Sequence, residues 1–300
     1  MQTLTELNEK FGVPGVLEFV AGKGGFAEAK VTTPSCTGAV YLYGAHLTAW
    51  EPKGAGQLIF VSEKSLFEAG KAIRGGIPLI FPWFGGRQDG PGPAHGFART
   101  EVWTVALAAQ IGDALHLTMV LGPNETSRAL GFDKFRVAME FVFGKQLHVR
   151  MSVANEDEKA LKFEQGFHTY FAVSDIEHVG IHGLKDTEYL DKVDGFKRKT
   201  QTEDVLRFTG HVDRPYVNTE ADVTLDDEGL KRKIVMQKKG SKTTVVWNPW
   251  AEASAAMSDL GAQEWRNFVC IECVNAGENA VTLAPQQAHT MEAVYTVESL

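Results

Sequence analysis

His168, in Phe-Glu-Gln-Gly-Phe-His-Thr-Tyr-Phe (163–171), and Glu272, in Phe-Val-Cys-Ile-Glu-Cys-Val-Asn (268–275), each put an ionisable side chain into a run that otherwise reads as a buried β-strand. Successive strand residues face opposite ways, so Phe268, Cys270, Glu272 and Val274 are expected on one face. A carboxylate buried among apolar neighbours costs several kcal/mol unless it is compensated, so such a residue needs a partner or a task. A half-buried acid and base are what proton-transfer catalysis requires. A lone histidine among aromatics is more often a packed core residue, whereas an acid on an apolar strand face is rare unless paired.

Arg74 and Arg99 are candidate anion ligands. Arg74 precedes Gly75-Gly76, where backbone can approach a ligand closely, and Arg99 closes a Gly/Pro-rich loop that also holds His95. Guanidinium forks suit phosphate or carboxylate, although pairing with structural carboxylates is an equal alternative, since Asp and Glu number 38 against 30 Lys and Arg. Asp213 precedes Arg-Pro, a setting common for turn or ion-pair residues. Trp83, Trp247, Trp250 and Phe97 fit either core packing or stacking beneath a sugar ring. Read from the residues alone, this is an enzyme or binder acting on a small, polar, anionic molecule by proton transfer.

The elements that must position these groups are mostly strands. Alternating segments at 39–43, 58–61, 101–107, 114–121, 135–143, 146–153 and 243–247 have the strand period, and Gly144-Lys145 marks a hairpin. Helical windows are few: Thr3–Phe11, Ser127–Leu130, Met257–Leu260 and Gln263–Trp265. Many strands and few helices predict an all-β antiparallel sandwich, and no linker or repeat divides residues 1–300, so one domain is expected. Two stretches, 63–99 and 185–213, read as long irregular loops, which on a rigid scaffold tend to carry function.

Composition narrows the field. An apolar fraction of 44%, a charged fraction of 23% and a net charge of −8 describe an ordinary folded chain and disfavour nucleic acid and anionic membranes as partners. Met1–Lys10 lacks the apolar segment of a signal peptide, and no run is long enough for a transmembrane helix, so a cytoplasmic location is expected. Three cysteines form no disulfide framework. Cys270-Ile-Glu-Cys273 has half a zinc-ribbon spacing, but in a strand the two thiols would face opposite ways. P-loop, dinucleotide, Gly-x-Ser-x-Gly and His-Glu-x-x-His motifs are absent.

Six stretches together resemble the aldose 1-epimerase (galactose mutarotase-like) superfamily, and within it the glucose-6-phosphate 1-epimerase branch. They are Gly44-Ala-His-Leu-Thr-Ala-Trp50, Arg74-Gly-Gly-Ile-Pro78 with Phe81-Pro-Trp-Phe-Gly85, Pro93-Ala-His-Gly-Phe-Ala-Arg99, Phe167-His-Thr-Tyr-Phe171, Val246-Trp-Asn-Pro-Trp250 and Cys270-Ile-Glu272. The resemblance implies a large single-domain β-sandwich and an isomerase interconverting the α and β anomers of glucose 6-phosphate. It places catalytic roles on His168 and Glu272, and substrate contacts on Arg74, His95, Arg99 and Asp213, with the arginines on the phosphate. The branch often has glutamine where this chain has Ala94, so one sugar or phosphate contact is expected to be missing or replaced.

The implied cycle starts with Glu272 ionised and His168 protonated, each favouring the other's charge. It requires no metal or other cofactor, and a monomer acting on a small phosphorylated sugar is expected. The alternatives are a non-catalytic sugar-binding protein on the same scaffold, an aldose 1-epimerase of free hexoses, and a metal-dependent isomerase ligated by His95, His168 and Glu272.

Overall fold

The computed structural model describes residues 2–300. Its two principal sheets have eight strands each, and every named strand pair in them is antiparallel. One runs in the order Val179–His182, Val223–Asp227, Arg232–Lys239, Ala288–Ser299, Leu147–Asn155, Phe135–Phe143, Ala114–Leu121, Thr104–Ile111. Phe135–Phe143 alternates cleanly: Phe135, Val137, Met139, Phe141 and Phe143 are buried, while the intervening residues are at least partly exposed. This is the pattern of a sheet with one face on the core and one on solvent.

The second sheet runs Lys197–Thr200, Glu188–Asp191, Val212–Val217, Thr243–Asn248, Phe268–Asn275, Gln165–Phe167, Leu79–Ile80, with Tyr170–Ala172 also paired to Phe268–Asn275. Its inner face packs on the first sheet, as shown by the Phe171 and Tyr295 rings, 5.5 Å apart, and a 2.7 Å hydrogen bond between the Thr169 and Tyr295 hydroxyls. A four-stranded N-terminal sheet (Leu17–Ala21, Ala27–Thr32, Cys36–Tyr41, His46–Pro52) adds Leu17, Phe19, Val40, Leu47 and Trp50 to the same core.

All eight residues of Phe268–Asn275 are buried, so this strand is covered on both faces. Val269, Ile271 and Cys273 enter the main core, while Phe268, Cys270 and Val274 belong to separate apolar clusters on the opposite side, Glu272's side. The expected face-sharing is therefore present, and the two thiols do point apart.

Several expected elements differ. Residues 58–61 form only the isolated bridges Ile59↔Phe171 and Val61↔Gly75. The strand expected at 101–107 begins at Thr104. The window at 257–260 is a turn, the helix lying earlier at Trp250–Ser254, and residues 264–267 form a 3₁₀ turn. The stretch 185–213 is not wholly irregular, because Glu188–Asp191 and Lys197–Thr200 pair as a hairpin. The N-terminal helix Leu4–Phe11 starts at a Thr3/Glu6 capping box, which satisfies two backbone donors reciprocally.

Candidate active site

Glu272 lies on the central strand of the second sheet, directly across from Val245. His168 follows the short strand Gln165–Phe167, whose Phe167 pairs with Cys273, and its backbone N–H is held by Pro78 O at 3.0 Å. The two side chains meet with His168 Nε2 3.4 Å from Glu272 Oε1. Arg74, Phe84, His95, Lys192, Asp213 and Trp247 complete the lining of a cavity of about 200 Å³ around them. His168 stacks on Tyr170 at 4.9 Å and meets Trp247 edge-on at 5.7 Å, which fixes the imidazole plane.

Burial dominates the electrostatics. It pushes Glu272 well above the ordinary carboxylate range, reinforced by Asp213 and opposed by Lys192 and Arg99. It pushes His168 well below the ordinary imidazole range, helped by His95, Arg99 and Arg74. Burial thus opposes both charges of the pair, the carboxylate on Glu272 and the imidazolium on His168. Mutual attraction at 3.4 Å works against that desolvation. Glu272 Oε2 has no hydrogen-bond partner among the described residues, a cost of about 1–3 kcal/mol that packing alone does not repay.

The other expected site residues are placed unequally. His95 enters the cavity from a left-handed backbone position (φ 63°), its Nδ1 accepting from Gly85 N–H at 3.3 Å, which leaves Nε2 to carry the proton of the neutral ring. Burial, with Arg99, Lys192 and Arg74 nearby, lowers His95 to about 3. Asp213 lines the cavity with its carboxylate 2.6 Å from Lys192 Nζ.

Arg74 lines it too, but its guanidinium is already engaged, with Nε and Nη2 on Asp259 Oδ2 (3.1 and 3.0 Å) and Nη1 on the Tyr170 hydroxyl (3.1 Å). Arg99 sits behind the lining rather than in it. Among the described residues its guanidinium makes one hydrogen bond, to Ala94 O at 2.8 Å, and its charge reaches His95, His168 and Glu272.

Trp83 and Trp250 do not reach the cavity. Trp83 donates to Pro93 O and packs on Phe97, and Trp250 packs on Trp265 at 4.8 Å. Trp247 is the aromatic wall. Sequence reasoning missed Lys192, Asp259, Tyr170 and His46 as parts of the site. His46 lies fully buried behind Gly76, donating from Nε2 to Gly75 O at 2.7 Å, and burial lowers it to about 4. It fixes the glycine pair that follows Arg74. Tyr170 and His46 stand inside the quoted motifs, so their positions were visible although their roles were not.

The profile of the aldose 1-epimerase family matches residues 30–296. This chain belongs to that family. A protein of Escherichia coli strain K12 that carries the provisional name glucose-6-phosphate 1-epimerase is 32% identical, over 88% of each chain. A protein of Cenchrus ciliaris with the same provisional name is 33% identical over 84% of this chain and 78% of its own. Among solved structures, a provisionally named mutarotase from Salmonella typhimurium superposes with a TM-score of 0.88 at 28% identity, covering 96% of this chain and 95% of that one. A galactose mutarotase-like protein from Clostridium acetobutylicum shares the fold (TM-score 0.74, covering 95% of this chain and 98% of that one) at 14% identity. The fold is thus the galactose mutarotase-like antiparallel β architecture anticipated from the sequence.

Proposed function

We propose that this member of the family is a hexose-6-phosphate 1-epimerase that interconverts the α and β anomers of glucose 6-phosphate, with His168 and Glu272 as its acid/base pair. The observation that carries the reading is the contact itself: two ionisable groups from distant parts of the chain, 3.4 Å apart in a small cavity with cations around it. The relatives provisionally named glucose-6-phosphate 1-epimerase support the phosphorylated substrate. Arg74 and Arg99 supply charge for the phosphate, and His95 Nε2–H and the Asp213 carboxylate supply a donor and an acceptor for sugar hydroxyls.

In the ring-opening direction, Glu272 as carboxylate takes the proton from the C1 hydroxyl while His168 as imidazolium protonates the ring oxygen. The C1–O5 bond breaks, C1=O1 forms, and C1–C2 rotates by half a turn. In closure O5 adds to the other face of C1, returning its proton to His168, while the protonated Glu272 returns one to O1. The pair holds one proton throughout. After opening, that proton sits on Glu272 and His168 is neutral, which is the state that burial favours.

The test is the anomer exchange rate of glucose 6-phosphate measured by magnetisation-transfer NMR, with spontaneous mutarotation subtracted, against that of glucose. Faster exchange of the phosphorylated sugar is expected. A preference for free glucose would make the chain an epimerase of free hexoses, and no acceleration of either would leave a sugar-binding protein.

A further inference from the structure

Lys192 is the residue of this cavity that neither the motifs nor the acid/base chemistry assigns. It follows Glu188–Asp191, and its backbone N–H donates to Asp213 O at 3.1 Å, so the backbone already ties it to the strand Val212–Val217. Its side chain, about a quarter exposed at 28%, passes over the Phe84 ring (5.6 Å) and ends 2.6 Å from Asp213 Oδ2. Asp213 is the anion nearest in effect to Glu272, and Lys192 is a cation that opposes it there. The charged and titratable groups around Glu272 are His168 and Asp213, Arg74 with Tyr170, His95 with Arg99, and Cys270. Of the three cations, Arg74 is bound to Asp259, and Arg99 is outside the cavity lining, with one hydrogen bond among the described residues, to Ala94 O.

We propose that Lys192 is a positioning residue: by holding the Asp213 carboxylate it keeps that charge from suppressing ionisation of Glu272, so that the ring-opening state of the acid/base pair is reached near neutral pH. Two carboxylates sharing one cavity cannot both ionise readily, and a cation on one of them releases the other. The geometry gives the pairing its direction, since the short ion pair is to Asp213 and leaves Glu272 for His168. The ion pair also holds the Asp213 carboxylate in place as an acceptor for a sugar hydroxyl. The inference rests on the epimerase reading and adds a control on its pH range.

Replacing Lys192 removes a positive charge and unmasks a negative one, so both proton-binding steps of the coupled pair move to higher pH. For Lys192→Met the two limbs of the kcat–pH profile are expected to shift up by about one pH unit. On the acid limb that is about a tenfold loss of rate at fixed pH. Lys192→Arg keeps the wild-type limbs, and adding Asp213→Asn to Lys192→Met brings the limbs back down. Lys192→Gln serves as a second neutral variant, with circular dichroism as the check on folding.

Profiles that superimpose after scaling would overturn the proposal. So would a KM increase confined to the phosphorylated sugar with unmoved limbs, which would make Lys192 a phosphate ligand. A second readout needs no turnover: difference infrared titration of the Glu272 carboxyl, with Glu272→Gln as blank, should show the carboxyl ionising at higher pH in Lys192→Met. If the wild type exchanged no anomers, the epimerase reading would fall, while an unmoved carboxyl titration would overturn the role of Lys192 by itself.

Discussion

Removing Arg99 and removing Arg74 should have different consequences, although sequence treats the two arginines alike. Arg99→Ala deletes a guanidinium whose single hydrogen bond is to a backbone carbonyl, so most of its donors serve nothing else among the described residues. A charge-assisted hydrogen bond is worth roughly 1.5–3 kcal/mol, or about ten- to a hundredfold in affinity. Because the phosphate is remote from the reacting bonds, that contact is equal in ground and transition states, and the loss should fall on KM rather than kcat. Glucose, which has no phosphate, should escape that KM increase, and any effect of the lost charge on Glu272 and His168 should appear in kcat equally on both sugars.

Arg74→Ala removes a guanidinium bonded to Asp259 and Tyr170, whose ring stacks on His168. It leaves an unpaired, mostly buried carboxylate and a hydroxyl without its donor, at a cost of about 1–3 kcal/mol for each unsatisfied group. It should therefore lower Tm and depress kcat on both sugars. The assay is NMR anomer exchange on glucose 6-phosphate and glucose for each variant, with Tm by calorimetry. A KM increase equal on the two sugars in Arg99→Ala would refute the assignment of Arg99 to phosphate. A purely KM effect in Arg74→Ala, with unchanged Tm, would refute the view that Arg74 is a framework residue as well.

Glu272→Gln and His168→Asn should each cost at least about a hundredfold in anomer exchange, the usual scale for a positioned acid or base, with the fold retained by circular dichroism. Glu272→Gln should also be more stable than wild type at pH 7 by calorimetry, with no such gain at pH 4. The folded state holds the Glu272 proton above its ordinary value, so the stability it contributes is full below about 4.5 and is lost as pH rises. His46 has the opposite sign: its folded value is about 4 against 6.5, so stability falls as pH drops from 6.5 towards 4. That difference corresponds to about 3 kcal/mol, and His46→Gln should flatten the dependence of Tm on pH in that window.

The sequence carried the fold wherever one face of a strand meets the core. Phe135–Phe143 and Leu147–Asn155 alternate from end to end and were legible almost to the residue. Lys197–Thr200 was not, because three successive basic residues on a largely exposed edge strand show no apolar period. Residues 58–61 are apolar enough for a strand, yet they bridge two other segments and join no ladder. The meeting of His168 and Glu272 was foreshadowed because an ionisable group on a buried face violates the local pattern. Lys192 and Asp259 violate nothing: each is a charged residue in a polar connection, and only the fold brings one to Asp213 and the other to Arg74. The balance of forces on the pair was illegible for a related reason. Sequence shows that a carboxylate and an imidazole meet, but the depth at which they meet decides between mutual attraction and desolvation.

That depth bears on the reaction in a particular way. In the proposed cycle, opening the ring moves one proton from O1 to Glu272 and another from His168 to O5, so a charged pair becomes a neutral one as the aldehyde forms. A site that disfavours both charges therefore stabilises the protein in the state that accompanies the open-chain sugar, and binding that grows along the reaction coordinate is the kind that raises kcat. The same burial raises the cost of reaching the charged pair from which opening starts. Cations near Glu272, namely Lys192 on Asp213 and Arg99 behind the wall, offset part of that cost without entering the proton path. Arg99 and Arg74 oppose the imidazolium at the same time, because both lower His168. The charged and neutral forms are brought closest in energy when positive charge lies nearer the carboxylate than the imidazole, and Lys192, held on the Asp213 side of the cavity, is the cation placed to do so.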